Sequence, residues 1–147
     1  MKKLWTDGSA EPNPGRGGFA VIEEIGRNLG KPVVLGSEEE STNIRMEGKA
    51  IIAAMKYAGG EECIIHTDSN FWIQVLTEWA EGWSSRGWRT RKGPVANLEL
   101  VKEAYALYRG GKTVELKWVA GHRGIALNEM ADEWAGRARE GEKITEV

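Results

Sequence analysis

Four carboxylates, Asp7, Glu47, Asp68 and Asp132, fall where an element of the chain meets a loop or opens. Two of them have matched settings. Thr6-Asp7-Gly8-Ser9 follows Lys3-Leu4-Trp5, and Thr67-Asp68-Ser69 follows Cys63-Ile64-Ile65-His66. Each reads as a strand ending in an aspartate and then a small residue. If the two strands lie side by side, both carboxylates reach one end of a sheet, where open α/β sheets bind ligands. Anions gathered there need a cation, since like charges in one site otherwise force a proton onto one of them. Carboxylate oxygens suit a hard divalent ion, and such an ion implies chemistry. Taken singly, each carboxylate also has an ordinary explanation. Asp7 and Asp68 could cap turns or a helix. Glu47 could answer a helix dipole, and Asp132 could pair with Arg123 or a neighbouring lysine.

Two further places could do chemistry. His122 lies in Gly121-His122-Arg123-Gly124, and glycines on both sides leave it free to swing. That suits a proton shuttle near neutral pH, although a solvated loop histidine reads equally well. The segment from Trp79 to Lys92 interleaves Trp79, Trp83 and Trp88 with Arg86, Arg89, Arg91 and Lys92. It reads as a solvated basic loop over an aromatic mini-core, or as a surface that grips phosphates. Trp79 and Trp83, four apart on a helix, read as core. His66, inside an apolar strand, reads as a satisfied core residue.

The elements that must hold these groups follow from periodicity. Residues 2–7 read as strand one, and 8–18 as a loop rich in glycine and proline. Residues 19–22 and 33–35 read as strands two and three of an antiparallel meander. A helix should start at Thr42 as N-cap and carry the stripe Ala50, Ile51, Ala54, Met55 and Ala58. One turn back, that stripe meets Glu47, and a carboxylate facing a core is costly unless paired or metal-bound. Gly59-Gly60 ends the helix, and 63–67 reads as a buried central strand. Helices over 70–83 and 95–108, a fifth strand over 114–119 and a last helix over 127–139 complete the pattern. In the last helix Asn128 and Asp132 are four apart and share a face. The class is α/β, helices against a mixed five-stranded sheet.

Composition bounds the function. The 147 residues suit one domain, 1–147, with 141–147 expected as a flexible tail. With 29% charged and 41% hydrophobic residues the chain reads as a soluble globular protein without a membrane span or signal peptide. Cys63, the single cysteine, excludes an internal disulfide and fits a reducing cytoplasm. One cysteine and two histidines exclude an ordinary structural zinc site. The net charge of −2 argues mildly against nucleic acid, but no acid occurs between Glu81 and Glu99, where the cations cluster.

These residues resemble the type 1 ribonuclease H family over nearly the whole chain. The matching motifs are Thr6-Asp7-Gly8-Ser9 with Asn13-Pro14-Gly15 and Gly17-Gly18; Thr42-Asn43 with Arg45-Met46-Glu47; Thr67-Asp68-Ser69; Gly121-His122-Arg123-Gly124; and Asn128-Glu129 leading to Asp132. The resemblance implies a ribonuclease H-like fold, a five-stranded mixed sheet with strands one to three antiparallel and helices flanking it. It implies a cytoplasmic, monomeric endonuclease that hydrolyses the RNA strand of RNA–DNA hybrids with little sequence preference, leaving 5′-phosphate and 3′-hydroxyl ends. It implies two Mg²⁺ ions, with Mn²⁺ as a substitute, Asp7 shared between them and Glu47, Asp68 and Asp132 completing the shells. His122 would assist proton transfer or product departure. Asn13, Asn43, Ser69, Asn70 and Asn128 would contact the hybrid. Arg86, Trp88, Arg89, Arg91 and Lys92 match the family's basic protrusion, which grips the DNA strand.

Two positions depart from the family pattern. Asn70 stands where many members carry a longer glutamine, and Ile44 where relatives often carry a polar residue. Asp7 already lies in strand one, so no N-terminal hybrid-binding module is expected. Two rival readings remain at this point: a catalytically silent hybrid or double-stranded RNA binder, and a DNA nuclease of the wider superfamily. Cleavage of hybrid, all-DNA and all-RNA duplexes separates them.

Overall fold

The computed structural model describes residues 1–110, 114–121 and 123–144. Strands β1 (Lys2–Glu11), β2 (Gly15–Gly26) and β3 (Leu29–Ser41) form the antiparallel meander. Strands β4 (Cys63–Thr67) and β5 (Val114–Trp118) run parallel to β1, giving the sheet order β3-β2-β1-β4-β5. This is the expected five-stranded mixed sheet. Helices α1 (Asn43–Ala58), α2 (Asn70–Gln74), α3 (Ala80–Ser85), α4 (Leu98–Gly110) and α5 (Ala126–Arg139) cover it.

Consecutive strand residues face opposite sides, so the sheet carries a core on each face. Leu4, Val21 and Ile65 pack with Ile51 and Met55 of α1 and Val101 of α4 on one side. Trp5 and Ile22 pack with Leu127 and Ala131 of α5 on the other. Cys63 is buried and free, as expected. His66 is half-buried, stacked on Trp5 at 3.9 Å, with Nδ1 3.1 Å from the Leu4 carbonyl.

The first three strands are longer than the sequence suggested. Residues 8–11 and 15–18, expected in a loop, lie in the ladder, and the turn is only residues 12–14. The glycines serve close approach rather than turning. A Cβ on Gly8 would strike the backbone of Met46 in α1, and one on Gly18 would strike that of Ala135 and Arg139 in α5. Asp7 therefore sits inside β1 rather than at its end. Similarly, the turn expected over 26–32 shrinks to residues 27–28, where Asn28 takes a positive φ of 58°.

Helix α1 starts and stops as its caps dictate. Thr42 Oγ1 accepts from the Arg45 amide at 3.1 Å, and Gly59 closes the helix in the left-handed region at φ 62°. The helix expected over 70–83 is instead broken by a π-helical stretch, Val75–Trp79. Widening the turn rotates the following face, so Trp79 is 38% exposed and not core, while Trp83 is half-buried. Helix α4 begins at Leu98, not Val95, because Asn97 has φ 55° and cannot continue a helix backwards. In the expected tail, Glu142 is ion-paired with Arg137 at 2.8 Å, and residues 145–147 lie outside the described residues. No helix among the described residues is long and apolar enough to cross a membrane.

Candidate active site

The parallel register of β1 and β4 sets Trp5 opposite His66. Two residues further along, Asp7 within β1 and Asp68 just past the end of β4 come close enough for their charges to interact. Asp7 is buried, and its Oδ1 accepts from the Gly8 amide at 2.9 Å. Burial pushes its carboxyl up to about 9, and the Asp68 charge and a hydrogen bond with Asp132 push the same way. Asp132, exposed on α5, thus meets Asp7 from the second face of the sheet.

Glu47 comes from α1. It is half-buried one turn before Ala50 and Ile51, on the same face of the helix, as the stripe implied. Burial raises its carboxyl to about 7, with the Asp68 charge adding and a hydrogen bond to Ser69 opposing. Gly8 makes this possible: only without a Cβ can β1 lie against α1 at Met46 and Glu47. Gly121 does the same for Asp68, since a Cβ there would stand 2.8 Å from Asp68 Oδ2. Neither role was legible beforehand. The one available signal was a glycine next to each site motif, Gly8 after Asp7 and Gly121 before His122.

The four carboxylates are therefore drawn together, through Asp7 with Asp68 and Asp132, and Glu47 with Asp68. Among the described residues, no three His, Cys, Asp or Glu side chains are already closed into a metal shell. The donor set itself, carboxylate oxygens of which those of Asp7 and Glu47 hold protons more tightly than usual, fits a hard divalent cation that would displace those protons. His122 lies outside the described residues.

The asparagines form a second layer. Asn43 Oδ1 accepts from the Ala10 amide at 2.7 Å, and the Asn43 amide donates to Asn13 Oδ1 at 3.1 Å. The N-terminus of α1 and the β1–β2 turn are thereby fastened to each other. Ser69 is buried as the N-cap of α2, accepting from the Trp72 amide at 3.3 Å, and Asn70 beside it is exposed. Asn128 is buried in the first turn of α5. Ile44, 39% exposed, contributes its carbonyl to the Trp72 indole N–H at 2.8 Å, which locks α1 to α2. No local pattern signals this role for Trp72, because Ile44 lies 28 positions away.

The basic segment projects from the far end of α3. Arg86, Arg89, Arg91 and Lys92 are exposed around a short ladder pairing Arg89–Thr90 with Gly93–Pro94. Trp88 is half-buried edge-on against Tyr105, so it fastens this segment to α4. Trp79, Trp83 and Phe71 form an aromatic row in which Trp79 lies 5.9 Å from Trp83 and 6.1 Å from Phe71.

Residues 1–140 match the family model for RNase H. The chain is 39% identical over 139 residues to a ribonuclease H of Janthinobacterium sp. (strain Marseille), covering 93% of this chain and 94% of that one. It is 40% identical over 141 residues to a ribonuclease H of Bordetella pertussis, covering 94% and 88%. Among solved structures it is similar to LC9-RNase H1, described as a type 1 RNase H with the type 2 active-site motif. That match has a TM-score of 0.78 and 29% identity, covering 97% of this chain and 73% of that one. The RNase H1 of Halobacterium salinarum NRC-1 shares the fold at a TM-score of 0.68 and 24% identity, covering 96% and 98%.

Proposed function

The chain belongs to the ribonuclease H family, and from that membership we propose that it cuts the RNA strand of RNA–DNA hybrids at the Asp7 cluster, leaving 5′-phosphate and 3′-hydroxyl ends. It is an endoribonuclease of the ribonuclease H type. The observation that carries the site assignment is the convergence of Asp7, Asp68 and Asp132 with a carboxyl pushed up to about 9, an arrangement that takes up a proton or a metal cation.

Asp7, Glu47, Asp68 and Asp132 would hold divalent magnesium, two ions in the family's manner, with Mn²⁺ able to substitute. Bound there, the metal supplies Lewis-acid polarisation of the scissile phosphate. The chain's own residues do the rest. Ser69 steadies Glu47 from the N-cap of α2. Asn13 and Asn43, tied to each other and to β1, present amide groups at fixed positions to a minor groove, where a 2′-hydroxyl distinguishes RNA from DNA. Asn70 and Asn128 are candidates for the same surface. His122 would carry a proton toward the departing product end. Arg86, Arg89, Arg91 and Lys92 would meet DNA phosphates, which position the duplex without reading sequence. No protein partner is needed for this scheme, so we take the working unit to be one chain folded as a single domain.

Incubating the protein with end-labelled hybrid, with and without Mg²⁺, tests the reading. Cleavage of the RNA strand only with metal is expected, absent in Asp7→Asn and Asp68→Asn. Equal cutting of all-DNA duplex would instead favour the superfamily nuclease reading. Tight hybrid binding without turnover would favour the silent binder.

A further inference from the structure

Helix α5 carries Asp132 to Asp7, so the place at which the helix is held on the sheet decides how these two carboxyl groups meet. On the α5-facing side of β1, Trp5, Asp7 and Ser9 follow one another at every second residue. Trp5 packs against Leu127 and Ala131, and Asp7 meets Asp132. Ser9 Oγ accepts from Arg139 Nη1 at 2.7 Å. Arg139 is seven residues, two turns, beyond Asp132 and so shares its face of the helix. Its Nη2 lies 3.3 Å from Glu11 Oε2, and its side chain is 18% exposed. Gly18, across the ladder from Ser9, admits the backbone of Ala135 and Arg139 at contact distance. The end of α5 is thus pinned at the Ser9–Gly18 rung, two rungs from that of Asp7 and Ala20.

We propose that Arg139 is a positioning residue that, through Ser9 and Glu11 of β1, holds Asp132 against Asp7 and so pre-forms the divalent-cation site. The apolar contact of Trp5 fixes α5 on one side of the carboxylate pair, and Arg139 fixes it on the other. Between two fixed points the helix cannot slide or lift to separate Asp132 from Asp7. Glu11 is 76% exposed and Ser9 partly buried, so the guanidinium gains its hold from two contacts made at once to one strand rather than from burial.

This inference rests on the ribonuclease H reading of the carboxylates. Its test is binding of Mg²⁺ alone, by isothermal titration calorimetry, to the full chain and to Arg139→Met, Arg139→Lys and Ser9→Ala. Hybrid binding in EDTA and urea unfolding are measured alongside. Arg139→Met keeps the packing on Gly18 and removes both polar contacts to β1, along with the 3.9 Å approach of Nε to Glu140. It is expected to weaken Mg²⁺ binding by about tenfold, in line with the loss of groups that orient metal ligands. Arg139→Lys should recover part of this, and Ser9→Ala should act in the same direction but less. Metal-free hybrid affinity should stay within about twofold, since the basic segment is remote. Unchanged Mg²⁺ affinity in Ser9→Ala and the folded Arg139 variants overturns the proposal. So does a loss of metal-free hybrid affinity in step with the loss of Mg²⁺ affinity, which marks general disruption. If Arg139→Met does not fold, Ser9→Ala decides alone. A wild-type chain that binds no Mg²⁺ overturns the functional reading and this inference with it, whereas wild-type binding with indifferent variants overturns this inference only.

Discussion

At the scale of single residues, the site is a set of acids held out of their ordinary range. Asp7 and Glu47 bind protons more tightly in the folded chain than in the unfolded one, at about 9 and about 7 against ordinary values of 3.8 and 4.5. Their contribution to stability is therefore full at low pH and is lost as pH rises toward those values. Metal-free protein should become easier to unfold between pH 5 and 9, as urea titrations across that range would show. Mg²⁺ must displace the same protons, so its affinity should rise with pH, with proton release visible as a buffer dependence of the calorimetric heat. Asp7→Asn removes the ionisable group at little change of shape. It should abolish cleavage by about a hundredfold or more. It should also stabilise the metal-free fold by about 1 kcal/mol, roughly 3 °C in a domain of this size. A variant that lost activity and stability together would mean that Asp7 serves the fold rather than the cation.

At the scale of elements, close approach decides whether these residues meet. Gly8 lets α1 reach β1, Gly18 lets α5 reach β2, and Gly121 lets the loop after β5 lie against Asp68. Gly121→Ala would push against Asp68 Oδ2, now 2.8 Å from where the Cβ would be. Activity should fall by about ten- to a hundredfold, because small displacements of reacting groups are costly. Unfolding free energy should shift by no more than about 0.5 kcal/mol, as the loop is not part of the core. A second device joins β3 to α1. Glu38 accepts from Arg45 Nη2 at 3.1 Å, from Ser41 Oγ at 2.8 Å, and lies 2.8 Å from Lys49. Burial pushes the Glu38 carboxyl up, but these partners outweigh it and bring it to about 2. The sign is opposite to that of Asp7. Its stabilisation is present above the ordinary value of 4.5 and disappears as pH falls from there toward 2. Glu38→Gln should therefore cost about 1 kcal/mol at pH 7 and almost nothing near pH 2, a difference that denaturation at the two pH values measures.

At the scale of the whole molecule, a net charge of −2 conceals two opposed regions. The carboxylates gather where β4 ends, and Arg86, Arg89, Arg91 and Lys92 lie on an extension beyond α3. If those four meet phosphates, hybrid affinity should fall with salt at a log–log slope of about −3 to −4. Replacing all four with alanine should flatten that slope and raise KM more than it lowers kcat, because gripping phosphate is uniform binding. A fall in kcat at unchanged KM would place the cations in the chemistry instead. Trp88 belongs in a separate variant, since its edge-on contact with Tyr105 ties the extension to α4 and its loss would disturb the mount as well as the grip.

Much of this was written in the chain itself. The order of Asp7, Glu47, Asp68 and Asp132, the caps at Thr42 and Gly59, the alternating strands and the clustered arginines are local in sequence. Periodicity and residue type depend on near neighbours, so they survive without a structure. The family, the mixed sheet and the acid cluster followed from them. What the tertiary structure decided depends on contacts between distant segments. Residues 8–18 looked like a loop because their glycines signal turns, and only α1 and α5 pressing on β1 and β2 reveal why a strand needs them. Trp79 looked like core because its spacing from Trp83 is helical, but the π-helical stretch that ends on it turns its side chain to solvent. The pin from Arg139 to Ser9 spans 130 positions, and no local pattern encodes it. The sequence determined which groups could do the chemistry. The packing of glycine against backbone, and of one helix end against one rung of the sheet, decided how close together they are held.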